Sequence, residues 1–189
     1  MTMETPIEML HLPEQMRGLF AGKLPEAATG TPEERERNFL SRALAAYAIH
    51  KLGGADLDQA VAAIVDGGGD GGIDAIFHST MANTLWVAQS KFIASGRGEP
   101  DMGDVTKFKA GIENLLQGNF EAFRSNESWN RILPTIKSVF ERGGLQVRAI
   151  LVYSGINLVS EDRKHLFEDL KRRFSANDDY FDVRICNLT

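Results

Sequence analysis

The chain has 189 residues, a net charge of −5 and a single cysteine. A domain of this length buries roughly 70% of its unfolded-state surface, so it folds without a disulfide, and Cys186 alone excludes an internal one. The acidic balance excludes a tight, non-specific grip on nucleic acid by the whole surface. No stretch is apolar for long enough to span a bilayer, and no basic segment leads into an apolar run at the N-terminus; a soluble, cytoplasmic protein is expected.

Residues 1–30 read as an N-terminal arm, with a short helix around Glu14–Phe20, and residues 31–189 as one domain. Thr31-Pro32-Glu33-Glu34 predicts a helix start, because threonine can cap, proline suits the first helical position and Glu34 completes a capping box. Phe39, Leu40, Ala43, Leu44, Tyr47 and Ala48 follow at helical spacing, and Gly53-Gly54 stops the helix. Asp56 with Gln59 starts a shorter helix through Val65. A glycine-rich loop then leads to two strands, Ile73–His78 and Thr84–Lys91, with Asn83 suited to the tight turn near their junction.

Beyond the loop at Gly96–Pro100, helices are predicted at Gly103–Gln117 and Ser128–Arg142. A strand at Leu145–Tyr153, a helix from Ser160 to Phe174 and a last strand at Phe181–Leu188 follow. This order implies an α/β fold, a mixed sheet with helices packed on it. The strand-like ending without a polar tail suggests a fragment of a longer protein, with a further C-terminal region.

Asp74, Gln89 and Lys91 carry the chemistry. Strand alternation sets Asp74, Ile76 and His78 on one face of the first strand, and Leu85, Val87, Gln89 and Lys91 on one face of the second. A turn centred on Ala82-Asn83 would put Asp74 opposite Lys91 and Ile76 opposite Gln89, so the three polar groups converge. A one-residue slip would destroy that convergence. Glu36, aligned with Leu40, Ala43, Leu44 and Tyr47, reads as an inward carboxylate and a candidate third acid, whereas Glu34 aligns with Asn38 and Ser41 on the wet face. Mg²⁺ needs few protein ligands, and Mn²⁺ can substitute. Asp74 would be the principal ligand, with the Gln89 amide oxygen, the Ser90 backbone carbonyl and Glu36 beside it. Lys91 would orient hydroxide or stabilise charge at a phosphodiester. Asp70 is balanced between ligand and turn residue, and Asp66 reads as a turn cap. Arg97, Lys107 and Lys109 are weaker candidates for phosphate-backbone contact, as is the basic face of Lys164, Lys171, Arg172 and Arg173. His78 and Cys186 read as structural.

Gly69-Asp70-Gly71-Gly72-Ile73-Asp74 followed by Gln89-Ser90-Lys91 resembles the Mrr-type branch of the PD-(D/E)XK nuclease superfamily, in which Gln often replaces the second acid. The wider stretch, with Phe39–Leu44, Phe92, Gly98–Asp101 and Asp104–Phe108, resembles the N-terminal region of AIPR (abortive infection phage resistance) proteins over roughly residues 33–123. The resemblance implies a restriction endonuclease-like core, Mg²⁺ as cofactor, DNA as substrate and a role in bacterial defence against phage.

Two other readings stand beside the DNA nuclease. One is a binding module of the same fold that grips DNA or a partner protein without cutting. The other is a nuclease acting on RNA, since the proposed site reads a phosphodiester and not the sugar. A homodimer is left open, because nucleases that cut both strands often pair.

Overall fold

Every second residue of the central strands faces a different hydrophobic core, and this two-sided burial sets the architecture. The computed structural model describes residues 6–26, 29–175 and 179–188. Its elements in chain order are α1 (Glu8–Phe20), α2 (Pro32–Gly53), α3 (Leu57–Ala62), β1 (Ala75–Ser79), β2 (Thr84–Lys91), α4 (Met102–Leu116), α5 (Glu127–Arg142), β3 (Gln146–Tyr153), α6 (Glu161–Phe174) and β4 (Phe181–Cys186). The four strands lie in sequence order in one sheet. β1 and β2 pair antiparallel, whereas β2–β3 and β3–β4 pair parallel. The fold is therefore α/β, a mixed sheet flanked by helices.

On one face Leu85 and Val87 of β2 and Val147, Ala149 and Leu151 of β3 pack with Phe108 and Ile112 of α4, Trp129 of α5 and Phe167 of α6. On the other, Trp86, Ala88, Ile150 and Val152 meet Leu44, Ala45 and Ile49 of α2. β-strands buried on both faces carry near-continuous apolar runs, as β2 and β3 do. Among the described residues no helix is long and apolar enough to cross a membrane.

Local signals set the helix ends. Thr31 Oγ1 accepts the Glu34 N–H at 3.2 Å while Glu34 Oε2 accepts the Thr31 N–H at 2.8 Å, closing the capping box, and Gly54 ends α2 in the left-handed region. Asp56 and Gln59 cap α3 in the same reciprocal way. Within the segment read as an arm, α1 begins earlier than the sequence suggests, and its Met16 and Phe20 are fully buried with α2.

The hairpin register differs from the expected one by two residues. Ser79 pairs with Thr84 and Ala75 with Ala88, so the turn centres one position earlier, on Met81-Ala82. Asn83 takes a φ of 46° at the end of that turn, and its side-chain amide donates to the Gly144 carbonyl at 2.9 Å, tying the hairpin to the start of β3. An even displacement preserves side-chain parity, so the facing survives it.

Candidate functional site

Asp74, just ahead of β1, donates its N–H to the Ala88 carbonyl at 2.8 Å and accepts the Ser90 N–H at Oδ2, which sets it beside Ala88–Ser90 rather than opposite Lys91. Lys91 follows Gln89 on the same face of β2. The expected convergence is present, with different pairing. A cleft of about 190 Å³ opens there, lined by Asn38, Ser41 and Arg42 of α2, by Asp66, Asp70, Gly72 and Asp74, by Gln89, Ser90 and Lys91, and by Asp104 and Lys107 of α4.

The loop between α3 and β1 is drawn shut at its base. The N–H groups of Val65 and Asp66 both donate to the Asp74 carbonyl, at 2.8 and 3.1 Å. This closure brings Asp66 back beside Asp74, and Asp70 joins them: ligand oxygens of the three aspartates lie within 4.8 Å of one another. Inside the loop Asp70 is 4% exposed. Its Oδ1 accepts the Gly72 N–H and the Lys107 ammonium, each at 2.7 Å, and its Oδ2 accepts the Gly67 N–H at 3.1 Å. Asp70 thus organises the turn as well as lining the cleft. Its hydrogen bond, more than any other influence, raises the Lys107 pKa. Asp66 Oδ2 accepts from Arg42 Nε at 2.7 Å.

Asp74 is treated differently. Its Oδ2 accepts the Ser90 N–H at 2.7 Å, but among the described residues no lysine or arginine pairs with it. The Ser90 hydroxyl has one proton for two acceptors, the Ser41 carbonyl at 2.7 Å and Asp74 Oδ2 at 3.1 Å. Burial first, then the charge of Asp66, pushes the Asp74 carboxyl up to about 7, and the Ser90 N–H opposes this without cancelling it.

Gln89 is 7% exposed. Its amide N–H donates to the Asp104 carbonyl at 3.1 Å, and because a carbonyl can only accept, that bond fixes which end of the amide is which. The other end, Oε1, is buried and receives no hydrogen bond. Leaving such an acceptor unsatisfied costs about 1–3 kcal/mol. Lys91 Nζ is paired with Asp104 Oδ2. Asp104 therefore touches both predicted residues of β2, the amide through its backbone and the ammonium through its side chain.

These donors fit a hard divalent cation. A residue whose carboxylate has no cationic partner and one whose amide oxygen has no donor line one cleft, and such ions take oxygen ligands. The Ser90 carbonyl fits as well: a strand residue's N–H and C=O point to the same side, and the Ser90 N–H points to Asp74.

Glu36 does not join them, which corrects the sequence reading. Arg17 of α1 holds it, Nη2 to Oε1 at 2.5 Å, and it lines a separate cavity with Pro25, Pro32 and Arg35. At about 100° per residue, Glu36 sits roughly 140° around α2 from Ser41. The side of α2 carrying Asn38 and Ser41 faces the cleft, so the face read as wet is the site face. Asp104 escaped notice because an acid in the first turn of a helix ordinarily answers the helix dipole; only the docking of α4 shows its second use.

The weaker phosphate candidates separate. Lys107 lines the cleft. Lys109 pairs with Glu113 at 3.5 Å and Asp169 at 3.8 Å, joining α4 to α6. Arg97 lies in the loop after β2, where its N–H donates to the Ser95 hydroxyl at 3.2 Å. On α6, Lys164, Lys171, Arg172 and Arg173 pair with Glu161, Asp182, Asp169 and Glu113. His78 Nε2 lies 3.4 Å from Asn83 Oδ1, away from the cleft, and Cys186 is half-buried on the far side of the sheet.

No family model, curated protein or solved structure matches the chain.

Proposed function

We propose that the chain is a metal-dependent endonuclease domain that hydrolyses DNA phosphodiester bonds, of the restriction endonuclease-like PD-(D/E)XK type, serving in bacterial defence against phage. One observation carries the reading. The Gln89 amide is pinned by the Asp104 carbonyl, which leaves its buried oxygen without a donor, and Gln89 lines the same cleft as Asp74, whose carboxylate has no cationic partner among the described residues. An amide oxygen without a donor and a carboxylate without a counter-charge favour a cation between them.

Asp74 and Gln89 would hold the ion, with the Ser90 carbonyl beside them. A bound divalent ion would supply Lewis acidity, lowering the pKa of water and drawing off phosphate charge. The chain's own part is positional. Lys91 presents an ammonium at the cleft where charge develops on the phosphoryl oxygens, and Asp104 holds that ammonium in place. Asn38 and Ser41 line the α2 side, so the substrate phosphate enters between α2 and α4. The Mrr-type pattern of Asp74 followed by Gln89-x-Lys91 supports the same assignment, and the defence role rests on the likeness to AIPR proteins.

Supercoiled plasmid incubated with the protein and Mg²⁺ or Mn²⁺ tests the proposal. Metal-dependent nicking is expected for the wild type and lost in Asp74→Ala and Lys91→Ala. Nicking that persists in both variants would place the chemistry elsewhere.

A further inference from the structure

The cleft holds more acid than one ion requires, and three of its groups already have protein cations. Four carboxylates (Asp66, Asp70, Asp74, Asp104) and three cations (Arg42, Lys91, Lys107) line it, a net charge of −1 with all ionised. We infer that the site is built for a single divalent ion, with the Lys107 ammonium standing where a second would be held. The inference rests on the nuclease reading and extends it to the number of metals.

Two-metal sites hold their ions roughly 3.5–4 Å apart on shared acids. The aspartate oxygens, within 4.8 Å of one another, are close enough to serve such a pair. Their partners prevent it. Asp70 Oδ1 is occupied by Lys107 Nζ and the Gly72 N–H, and Oδ2 by the Gly67 N–H. Asp66 is held by Arg42, whose Nη1 is itself anchored 2.7 Å from the Pro25 carbonyl. Among the described residues, the groups left without a protein cation or donor are the Asp74 carboxylate, which accepts only from Ser90, and the oxygen of Gln89, a residue 7% exposed that lines the cleft.

The charges agree. One divalent ion takes the cleft from −1 to +1, the opposite of a phosphodiester, whereas two would leave +3 against a single negative charge. A lysine does this work without a metal's demand for further ligands. Its side chain is 55% exposed at the cleft mouth, so it can be replaced without opening a hole in the core.

Calorimetric titration of Mn²⁺ into the chelator-treated full chain tests the inference by stoichiometry, independently of cleavage. The wild type is expected to bind one ion per chain, Lys107→Met two, and Lys107→Arg one. Adding Asp70→Asn to Lys107→Met should return the count to one. Two ions on the wild type, or one on a folded Lys107→Met, overturns the inference and leaves the nuclease reading standing. No binding by any form overturns both. Lys107→Gln replaces Lys107→Met should the latter fail to give a cooperative melt.

Discussion

Asp104 and Lys91, on α4 and β2, form an ion pair whose acid also orients Gln89 through its backbone carbonyl. One residue thus sets the direction of an ammonium and the facing of an amide oxygen. Removing its charge separates the two effects, because Asp104→Asn keeps the carbonyl and loses the carboxylate. Cleavage by this variant should fall about tenfold to a hundredfold through misplacement of Lys91. Metal affinity should hold, and Asp104→Glu should recover part of the rate. Equal loss of metal binding and cleavage would show that Asp104 acts by another route.

Gln89→Glu should have effects of opposite sign on two measurements. The added charge should tighten Mn²⁺ binding on the order of tenfold, since ligand charge sets affinity at oxygen sites. The same change places a carboxylate oxygen against the Asp104 carbonyl in place of a donor. Without metal the variant should lose about 1–3 kcal/mol of stability. Calorimetry and denaturant melts read the two effects separately.

Asp74 makes stability depend on pH in a direction uncommon for an aspartate. Its carboxyl is pushed from 3.8 up to about 7, so between those values the folded state binds more protons than the unfolded one. Stability of the chelator-treated protein should therefore fall as pH rises through that window and level off above it, by at most about 4 kcal/mol. Apparent Mn²⁺ affinity should move the other way, gaining about tenfold per pH unit until Asp74 is ionised. In Asp74→Asn the melting profile should lose this slope. A variant slope matching the wild type would assign the dependence to another group.

Glu36→Gln should leave metal binding and cleavage unchanged. The Arg17–Glu36 pair is exposed, and such pairs contribute at most about 1 kcal/mol. Plasmid nicking assays and a melt suffice, and a large loss of cleavage would return Glu36 to the site.

Gly111→Ala should be severe for a change of one methyl group. A Cβ there would lie 2.1 Å from the Gly71 carbonyl oxygen, backbone that cannot swing aside. The expected cost is about 3 kcal/mol, which for a domain of this length lowers the melting temperature by roughly 6–12 °C.

How much the sequence could tell depended on whether a feature was local. The capping boxes at Thr31 and Asp56 and the apolar runs of β2 and β3 reveal their elements because each is settled within a few residues. Asp74, Gln89 and Lys91 could be grouped because alternation fixes a face even when the turn is misplaced, and the actual displacement was even. Glu36 could not be placed from periodicity. Its helix has apolar contacts on more than one side, and the arginine that takes it lies on α1, 19 residues earlier. Asp104 and the return of Asp66 toward Asp74 depend on how α4 and the glycine loop dock, which no spacing encodes.

That docking is unusually tight. Gly71 lies against Gly111, and a Cβ at Gly72, where φ is +77°, would meet the Phe108 nitrogen at 2.7 Å. With no side chains between them to yield, loop and helix are geared together: displacing one displaces the other. The loop carries Asp70, while the helix carries Lys107 and Asp104. Any ligand that shifts the loop therefore moves Lys107 and Asp104, a cation and an acid at the far wall of the cleft, in the same stroke. Shape and charge at this site change together or not at all.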